Sequence, residues 1–367
     1  MSIHPAGESD VPGQAAEHAL VEMVERVRQA HGAGTVLRIL GGDTKAFFGR
    51  DIEGSRLSIA GYHGVVSYEP TELVVTARTG TRMSDLEALL AEQGQMFGFE
   101  PPHFGTDATL GGTVSAGLSG PRRPYGGSVR DAVLGVRCLT AAGEVLRFGG
   151  QVMKNVAGFD LSRLLCGAFG TLAILLEVSV KVLPRPSSEI TLTGAMGIDQ
   201  AIPLMNRWAR GPLPLSGAVC DGQALWVRLS GERRALEQAR AAMGALDQAP
   251  EAGFWEAVRE HRLPFFRDDR PLWRISLPPA TPALALPGDW LIDWGGAQRW
   301  LKTDAGAEEV RRSAAEQRGY AVLFRGGDRR GEVFPPLPDG LGALHARLKD
   351  AFDPRRIFNR GRMYGDL

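Results

Sequence analysis

Residues 105–123 read "GTDATLGGTVSAGLSGPRR", with five glycines, three threonines and two serines. The run is too glycine-rich for an ordinary core helix and too apolar for a linker. Small side chains at Gly111, Gly112, Ser115, Ala116 and Gly117 let main chain approach a large planar ligand. Hydroxyls at Thr109, Thr113 and Ser115 can bond phosphate. Upstream, "LGGDTKAFFG" (40–49) follows the β-rich run "TVLRIL" (35–40) and can turn several backbone N–H groups toward one point, an anion-binding arrangement. Either segment alone reads equally well as a glycine-rich surface loop. Both in this order favour a ligand cradle. Two familiar phosphate motifs fail: "GAGT" (32–35) holds only the start of a dinucleotide fingerprint and precedes a strand, and "GGDTK" has its lysine misplaced for a Walker A loop.

The 367 residues suffice for two domains. A formal net charge of zero gives no electrostatic case for a nucleic-acid partner. Cys138, Cys166 and Cys220 lie far apart in apolar contexts, which reads as buried structural thiols in a reducing cytosol. The first 20 residues lack a basic and then apolar leader, and "LAILLEVSVKVL" (172–183) is too short and too charged to span a membrane.

Residues 1–16 read as a loose tail, and 17–31 as an amphipathic helix with Leu20, Val21, Val24 and Val27 on its apolar face. Strands follow at 56–60 and 72–80, a helix runs to about Gln93, and 132–150 reads as a hairpin. Residues 160–186 read as a short helix, a Gly-x-x-Gly break and a long strand ending at Pro184. Beyond Pro186 the pattern becomes strand 189–195, helix 199–210, strands 215–220 and 224–230, and helix 232–246. A partly degenerate second unit follows, with strands at 272–277, 289–294, 298–302 and 320–325 and a helix at 305–319. This is an antiparallel sheet with helices on one face. A last helix, 338–351, leads to "DPRRIFNRGRMYG" (353–365).

"LRILGGDTKAFFG", "ATLGGTVSAGLSG", "YGGSVRDAVLGVRCLTAAGEVLRFGG" and "VMKNVAGFDLSRLLCGAFGTLAILLEVSVKVLPRP" occur in the order and spacing of the vanillyl-alcohol-oxidase/PCMH-type FAD-binding family. The resemblance is strong over roughly 20–186, and "AFDPRRIFNRGRM" is similar to the tail of its 2-hydroxy-acid dehydrogenase branch. Within the family the details look most similar to the FAD-binding E subunits of bacterial glycolate oxidases. The resemblance implies an α+β fold: a PCMH-type FAD-binding domain of two α+β subdomains (17–186), a ferredoxin-like antiparallel α+β cap (187–334), and a C-terminal segment (335–367) returning to the FAD domain.

It also implies site residues. Gly41, Gly42, Asp43, Thr44 and Lys45 match the loop that cradles the pyrophosphate. Thr109, Leu110, Gly111, Gly112, Ser115, Gly117 and Gly120 match the block along pyrophosphate and flavin. Gly167, Gly170, Thr171 and Ile174 match a segment near the adenine end or the isoalloxazine edge. The first loop has no histidine, so dissociable, non-covalent FAD is expected.

Catalytic relatives carry an "H-x-G-D-G-N-x-H" type segment in the cap; the matching region here, "LFRGGDRRGEVFPP" (323–336), has none of those histidines. No metal ligand set and no catalytic base stands out. Arg325, Arg329 and Arg330 are candidates for a substrate carboxylate but read first as surface arginines, and His103 reads first as a loop histidine and second as a site residue. The expectation is a glycolate oxidase FAD subunit supporting a catalytic FAD subunit and an iron–sulfur subunit, acting on a small 2-hydroxy acid. It would be cytoplasmic, touching the inner membrane face only through the complex. The alternatives are a standalone FAD-dependent D-2-hydroxy-acid dehydrogenase and a non-catalytic scaffold with weak FAD binding.

Overall fold

The computed structural model describes residues 11–150, 160–244, 246–249, 253–365 and 367. The stretch "VMKNVAGF" (152–159) and the start of the expected tail lie outside the described residues. Helix α1 (Val11–Ala33) already includes residues 11–16, assigned above to the tail. Its buried stripe is Ala16, Leu20, Met23, Val27 and Ala30, at helical i, i+3/i+4 spacing, whereas Val21 is 60% exposed. The earlier start adds Ala16 to the stripe, and Val21, about 100° around the helix from Leu20, faces solvent.

Helix α1 packs on the parallel pair β1 (Leu37–Leu40) and β2 (Ser55–Ser58). Next come β3 (Val65–Glu69), β4 (Val74–Arg78), α2 (Met83–Glu92), the short β5 (Gln95–Met96) and α3 (Leu110–Ala116). The opening stretch therefore contains a helix, contrary to expectation. The Thr109 hydroxyl caps it by accepting from Gly112 N at 3.2 Å, and Gly117, at φ 66°, ends it in the left-handed region. Burial of Leu110, Val114 and Ala116 outweighs the poor helix propensity of its two glycines. The chain continues through α4 (Arg123–Gly126), α5 (Val129–Ala132), the hairpin β6 (Val133–Leu139) and β7 (Val145–Gly149), α6 (Leu161–Leu165), β8 (Ile174–Lys181) and β9 (Leu183–Pro184). Strands β3-β4-β8-β6-β7 form one antiparallel sheet in that order.

From Ser188 a second sheet begins. Its first half is β10 (Ser188–Ala195), α7 (Ile198–Ala209), β11 (Leu215–Cys220), β12 (Ala224–Gly231), α8 (Arg233–Met243) and β13 (Asp247–Gln248). After α9 (Phe254–Arg259) the second half is β14 (Leu272–Ser276), β15 (Asp289–Asp293), β16 (Gln298–Lys302), α10 (Ala307–Glu316) and β17 (Tyr320–Arg325). The eight strands run β13-β10-β12-β11-β15-β16-β14-β17. Each half has the ferredoxin-like order, and the two meet at Cys220 and Ile292. In the second half the loop 277–288, with Pro278, Pro279, Pro282 and Pro287, stands where α7 stands in the first. Proline excludes a helix there. The fully buried Arg299 ties the loop down by donating to the carbonyls of Thr281, Pro282 and Gly296.

Helix α11 (Asp339–Phe352) leads the chain back to the first half. Leu37 N donates to Ile357 O at 2.7 Å and Asn359 N to Leu37 O at 3.0 Å, so 357–359 lie alongside β1. The buried Lys349 fastens this return, donating to Asp353 (2.8 Å), Phe358 O (3.0 Å) and Thr171 O (2.6 Å).

Candidate cofactor cleft and domain-junction cavity

The loop after β1 and the start of α3 face each other across a cleft. It is lined by Gly41, Gly42, Asp43, Thr44 and Lys45 on one side and by Thr109, Gly112, Ser115 and Ala116 on the other. The two segments touch where they meet. A Cβ on Gly42 would sit 1.5 Å from Asp107 O, and one on Gly41 would sit 2.3 Å from Thr109 Oγ1. Only glycine allows that approach. Asp43 takes φ 54° to complete the turn, and its carboxylate pairs with Arg38 at 3.2 Å.

The donor set suits an anion. Among the described residues, no acceptor meets the backbone N–H of Gly41, Gly42, Asp43, Thr44 or Lys45. Lys45 is buried, and its ammonium donates to His103 O at 3.2 Å with no carboxylate in ion-pair reach among the described residues. Burial pushes that ammonium down to about 8, partly offset by Glu260. Arg362 also lines the cleft. It spends its donors on the carbonyls of Ala46, Phe48 and Arg50, and burial, aided by Arg329 and Arg38, lowers it to about 10. Unpaired N–H groups, the buried Lys45 and the half-buried Arg362 at a glycine turn fit a diphosphate.

The other expected residues divide. Gly111 faces protein: a Cβ there would meet Thr79 Cβ at 2.8 Å, so this glycine seats α3 on the end of β4. Leu110 is core. Gly117 and Gly167 pack backbone to backbone, a Cβ on Gly117 lying 2.9 Å from Gly167 Cα. Gly120 sits at the junction with the second sheet, its carbonyl accepting from Trp294 Nε1 at 3.0 Å. Gly170 abuts Asn359, Thr171 closes its own turn onto Ala168 O, and Ile174 is buried beneath α1. The Thr109 hydroxyl is committed to its helix cap, and that of Thr113 is buried without a partner. Arg38, Phe169, Asn359 and Arg362 line the cleft and were not foreseen. Asn359 accepts from Ile39 N (2.8 Å) and donates to Phe169 O (2.7 Å), stitching the tail into the wall. The "FNRGR" motif was the available signal for the last two.

Residues 19–149 match the FAD binding domain family. Over 345 residues the chain is 48% identical to glycolate oxidase subunit GlcE of Escherichia coli K12, covering 94% of this chain and 97% of that one. The chain belongs to the GlcE family of FAD-binding proteins. Its cofactor is FAD. Glycolate oxidase subunit GlcD of Bacillus subtilis 168 is a more distant relative of the family, 32% identical over 128 residues, or 35% of this chain and 27% of that one. Alkyldihydroxyacetonephosphate synthase shares the fold, with a TM-score of 0.66 at 15% identity over 92% of this chain and 75% of that one.

A second cavity lies where the two halves of the molecule meet, between Phe104, Leu118 and Gly120 on one side and Val258, His261, Arg274, Asp293, Trp300 and Phe324 on the other. Burial pushes the Asp293 carboxyl up to about 7, against hydrogen bonds from Trp294 N (2.7 Å) and Gln298 Nε2 (3.2 Å). Beside the cavity an ionic network joins the halves: Arg228 meets Glu100 at 2.7 Å and Arg122 meets Glu189 at 2.6 Å. Burial alone raises Glu100, but the charges and hydrogen bonds of Arg228 and Arg122 bring it below the ordinary carboxylate value.

The junction revises several expectations. Arg325 is no surface arginine: its guanidinium lies over the rings of Phe47 (4.2 Å) and Phe104 (5.6 Å). Arg329 is structural, donating to the carbonyls of Gly49, Leu323 and Phe324. Arg330 is exposed. The His103 ring turns to Glu87 at 3.3 Å, away from both cavities. Among the described residues, no group of three His, Cys, Asp or Glu side chains could hold a metal ion, and no helix is long and apolar enough to cross a membrane.

Proposed function

We propose that this chain is the FAD-binding subunit of a glycolate oxidase assembly that oxidises glycolate to glyoxylate, with FAD held non-covalently in the glycine-lined cleft. The carrying observation is the turn 41–45, whose N–H groups are unpaired and whose buried Lys45 has no carboxylate in ion-pair reach among the described residues, in a chain 48% identical to GlcE along nearly its whole length. When bound, FAD supplies the acceptor for the hydride leaving the substrate carbon. The chain's own residues do the holding. Backbone N–H groups of Gly41–Lys45 and the Lys45 ammonium neutralise the diphosphate, Gly112 and Ser115 leave room along α3, and Asn359 braces the wall from the tail. The loop 40–49 offers no histidine for a covalent link.

The same reading makes residues 17–186 the FAD-binding unit, 187–334 a cap, and 335–367 the segment completing the FAD unit. Cys138 and Cys220 are buried on separate sheets, and among the described residues the three cysteines form no cluster that could hold a metal, so we assign iron–sulfur transfer to another subunit. We assign that role to an iron–sulfur partner and the main substrate turnover to a second flavoprotein, by the relatives' description as subunits.

The test is purification of the chain followed by a visible spectrum and acid precipitation. A yellow protein that releases its flavin into the supernatant is expected. Flavin remaining on the polypeptide overturns the non-covalent assignment, and a colourless chain that takes up no added FAD overturns the cofactor site.

A further inference from the structure

The peptide between His103 and Phe104 stands between the glycine turn and the part of the chain that builds the second sheet. Its carbonyl accepts from the Lys45 ammonium at 3.2 Å and from the Thr44 hydroxyl at 2.7 Å. Its N–H, on Phe104, donates to Glu260 Oε2 at 2.7 Å. A trans peptide points these two groups in opposite directions, so one planar unit links a carboxylate on one side to an ammonium on the other. The N–H of His103 also donates to Glu260, at 3.1 Å to each oxygen. Phe104 takes φ 54°, uncommon for an aromatic residue, and two successive N–H groups converge there on one anion. Gly105 completes the wall: a Cβ on it would lie 3.0 Å from Thr44 Cγ2.

Glu260 directly follows α9, and its side chain is 8% exposed. Arg259 Nε donates to it at 2.7 Å, which already gives the buried carboxylate a charge partner. Both of its oxygens nevertheless reach the backbone that carries the acceptor of Lys45. A negative charge on the N–H side of a peptide polarises it and strengthens its carbonyl as an acceptor. The same charge acts on Lys45 itself and holds that ammonium higher than burial alone would. The other charged groups around Lys45 have partners of their own. Asp43 pairs with Arg38 and Asp107 with Arg82, Arg362 donates to three carbonyls, Arg325 lies over Phe47 and Phe104, and the His103 ring turns to Glu87. Glu260 therefore answers the Lys45 charge through one peptide.

We propose that Glu260 is a positioning residue for the FAD diphosphate: by holding the 103–104 backbone it presents the His103 carbonyl to Lys45 and Thr44 and fixes the ammonium at the cleft wall. This rests on the reading of the glycine-lined cleft as the FAD site. Glu260 touches no part of the cleft itself and acts only through the peptide and Lys45. Cofactor affinity then depends on a side chain from beyond residue 186, and a change that pulls α9 away from residues 103–105 loosens the diphosphate as well.

The test is fluorescence titration of the purified chain with FAD at a series of pH values. In the unaltered chain affinity should fall as pH rises through about 8. Glu260→Gln should weaken FAD by about fivefold or more at neutral pH. It should also start the fall at lower pH, because an ammonium without that carboxylate loses its proton sooner. In a Lys45→Met background the same substitution should have little effect on either. A residue that only supports the fold would cost FAD equally in both backgrounds and leave the pH dependence in place. Should Glu260→Gln fail to fold, Glu260→Asp replaces it. Its charge stays but its shorter arm releases the 103–104 backbone, so affinity should fall with the onset still near 8. Unaltered affinity and onset in Glu260→Gln, equal losses in both backgrounds, or unaltered affinity in Glu260→Asp overturns the proposal and leaves the cofactor reading standing. An unaltered chain that takes up no FAD overturns both.

Discussion

The two cavities are built from different material. The proposed cofactor cleft is a backbone site: a five-residue turn whose N–H groups are unpaired among the described residues, pressed through Gly41 and Gly42 against the lead-in to a short helix. The junction cavity is a side-chain site, assembled from Phe104, His261, Arg274 and Phe324, which span 220 residues of sequence from the first to the last. A backbone site needs glycine at fixed local positions, so it leaves a motif. A side-chain site needs the right groups only after folding, and any strand can supply them.

The sharpest way to break the contrast is at Gly42. With its Cβ 1.5 Å from Asp107 O, Gly42→Val must force the turn away from residues 105–108. Loss of nearly all bound FAD is expected in the visible spectrum, with an intact second sheet by circular dichroism. Retained FAD would show that the cleft tolerates separation of its walls.

At the junction the corresponding change is Glu100→Gln, which removes the carboxylate facing the buried Arg228. Breaking a buried pair from one side costs on the order of 3 kcal/mol, measurable by urea unfolding. The Glu100 pKa is depressed, so its contribution is present above the ordinary carboxylate value of about 4.3 and is lost as pH falls through the lower folded value. Unfolding curves from neutral to acid pH should show the difference between the variant and the parent shrinking in acid.

A smaller effect separates charge from backbone in the cleft. Lys45 titrates near 8 in the free chain, and an anionic diphosphate stabilises its protonated form. FAD affinity should then fall as pH rises through about 8, by at most tenfold per unit. Lys45→Met should weaken FAD by about tenfold and flatten that dependence, as read by fluorescence titration. The least effect is expected from Arg330→Ala. Arg330 is exposed, so stability read by urea unfolding should change by less than about 0.5 kcal/mol. A larger loss would show that Arg330 carries a contact its exposure does not suggest.

Particular residues show where sequence legibility ended. Strand and helix alternation in the second half was readable because each element carries its own period, from β10 to β17. Helix α3 was not readable, because Gly111 and Gly112 argue against a helix until the Thr109 cap and the buried Leu110 and Val114 are in place. Gly111 was legible as special but not for its reason: it accommodates Thr79, not a ligand. Ile174 belonged to a matching motif and lies in the core beneath α1. Val21 was assigned to the apolar face but lies about 100° around α1 from Leu20, outside the buried stripe.

By itself the sequence determined the alternation of elements, the glycine turn at 41–42 and the glycines of 111–112, and hence the resemblance to a FAD-binding family. Local periodicity and φ/ψ demands are properties of neighbouring residues. Only the tertiary structure decided which glycine lines the cleft and which packs on protein, that Asn359 and Arg362 return to the cleft, and that Arg122 and Arg228 meet Glu189 and Glu100 across the junction. Burial and charge pairing depend on what distant segments bring within a few ångströms, and no spacing along the chain encodes that.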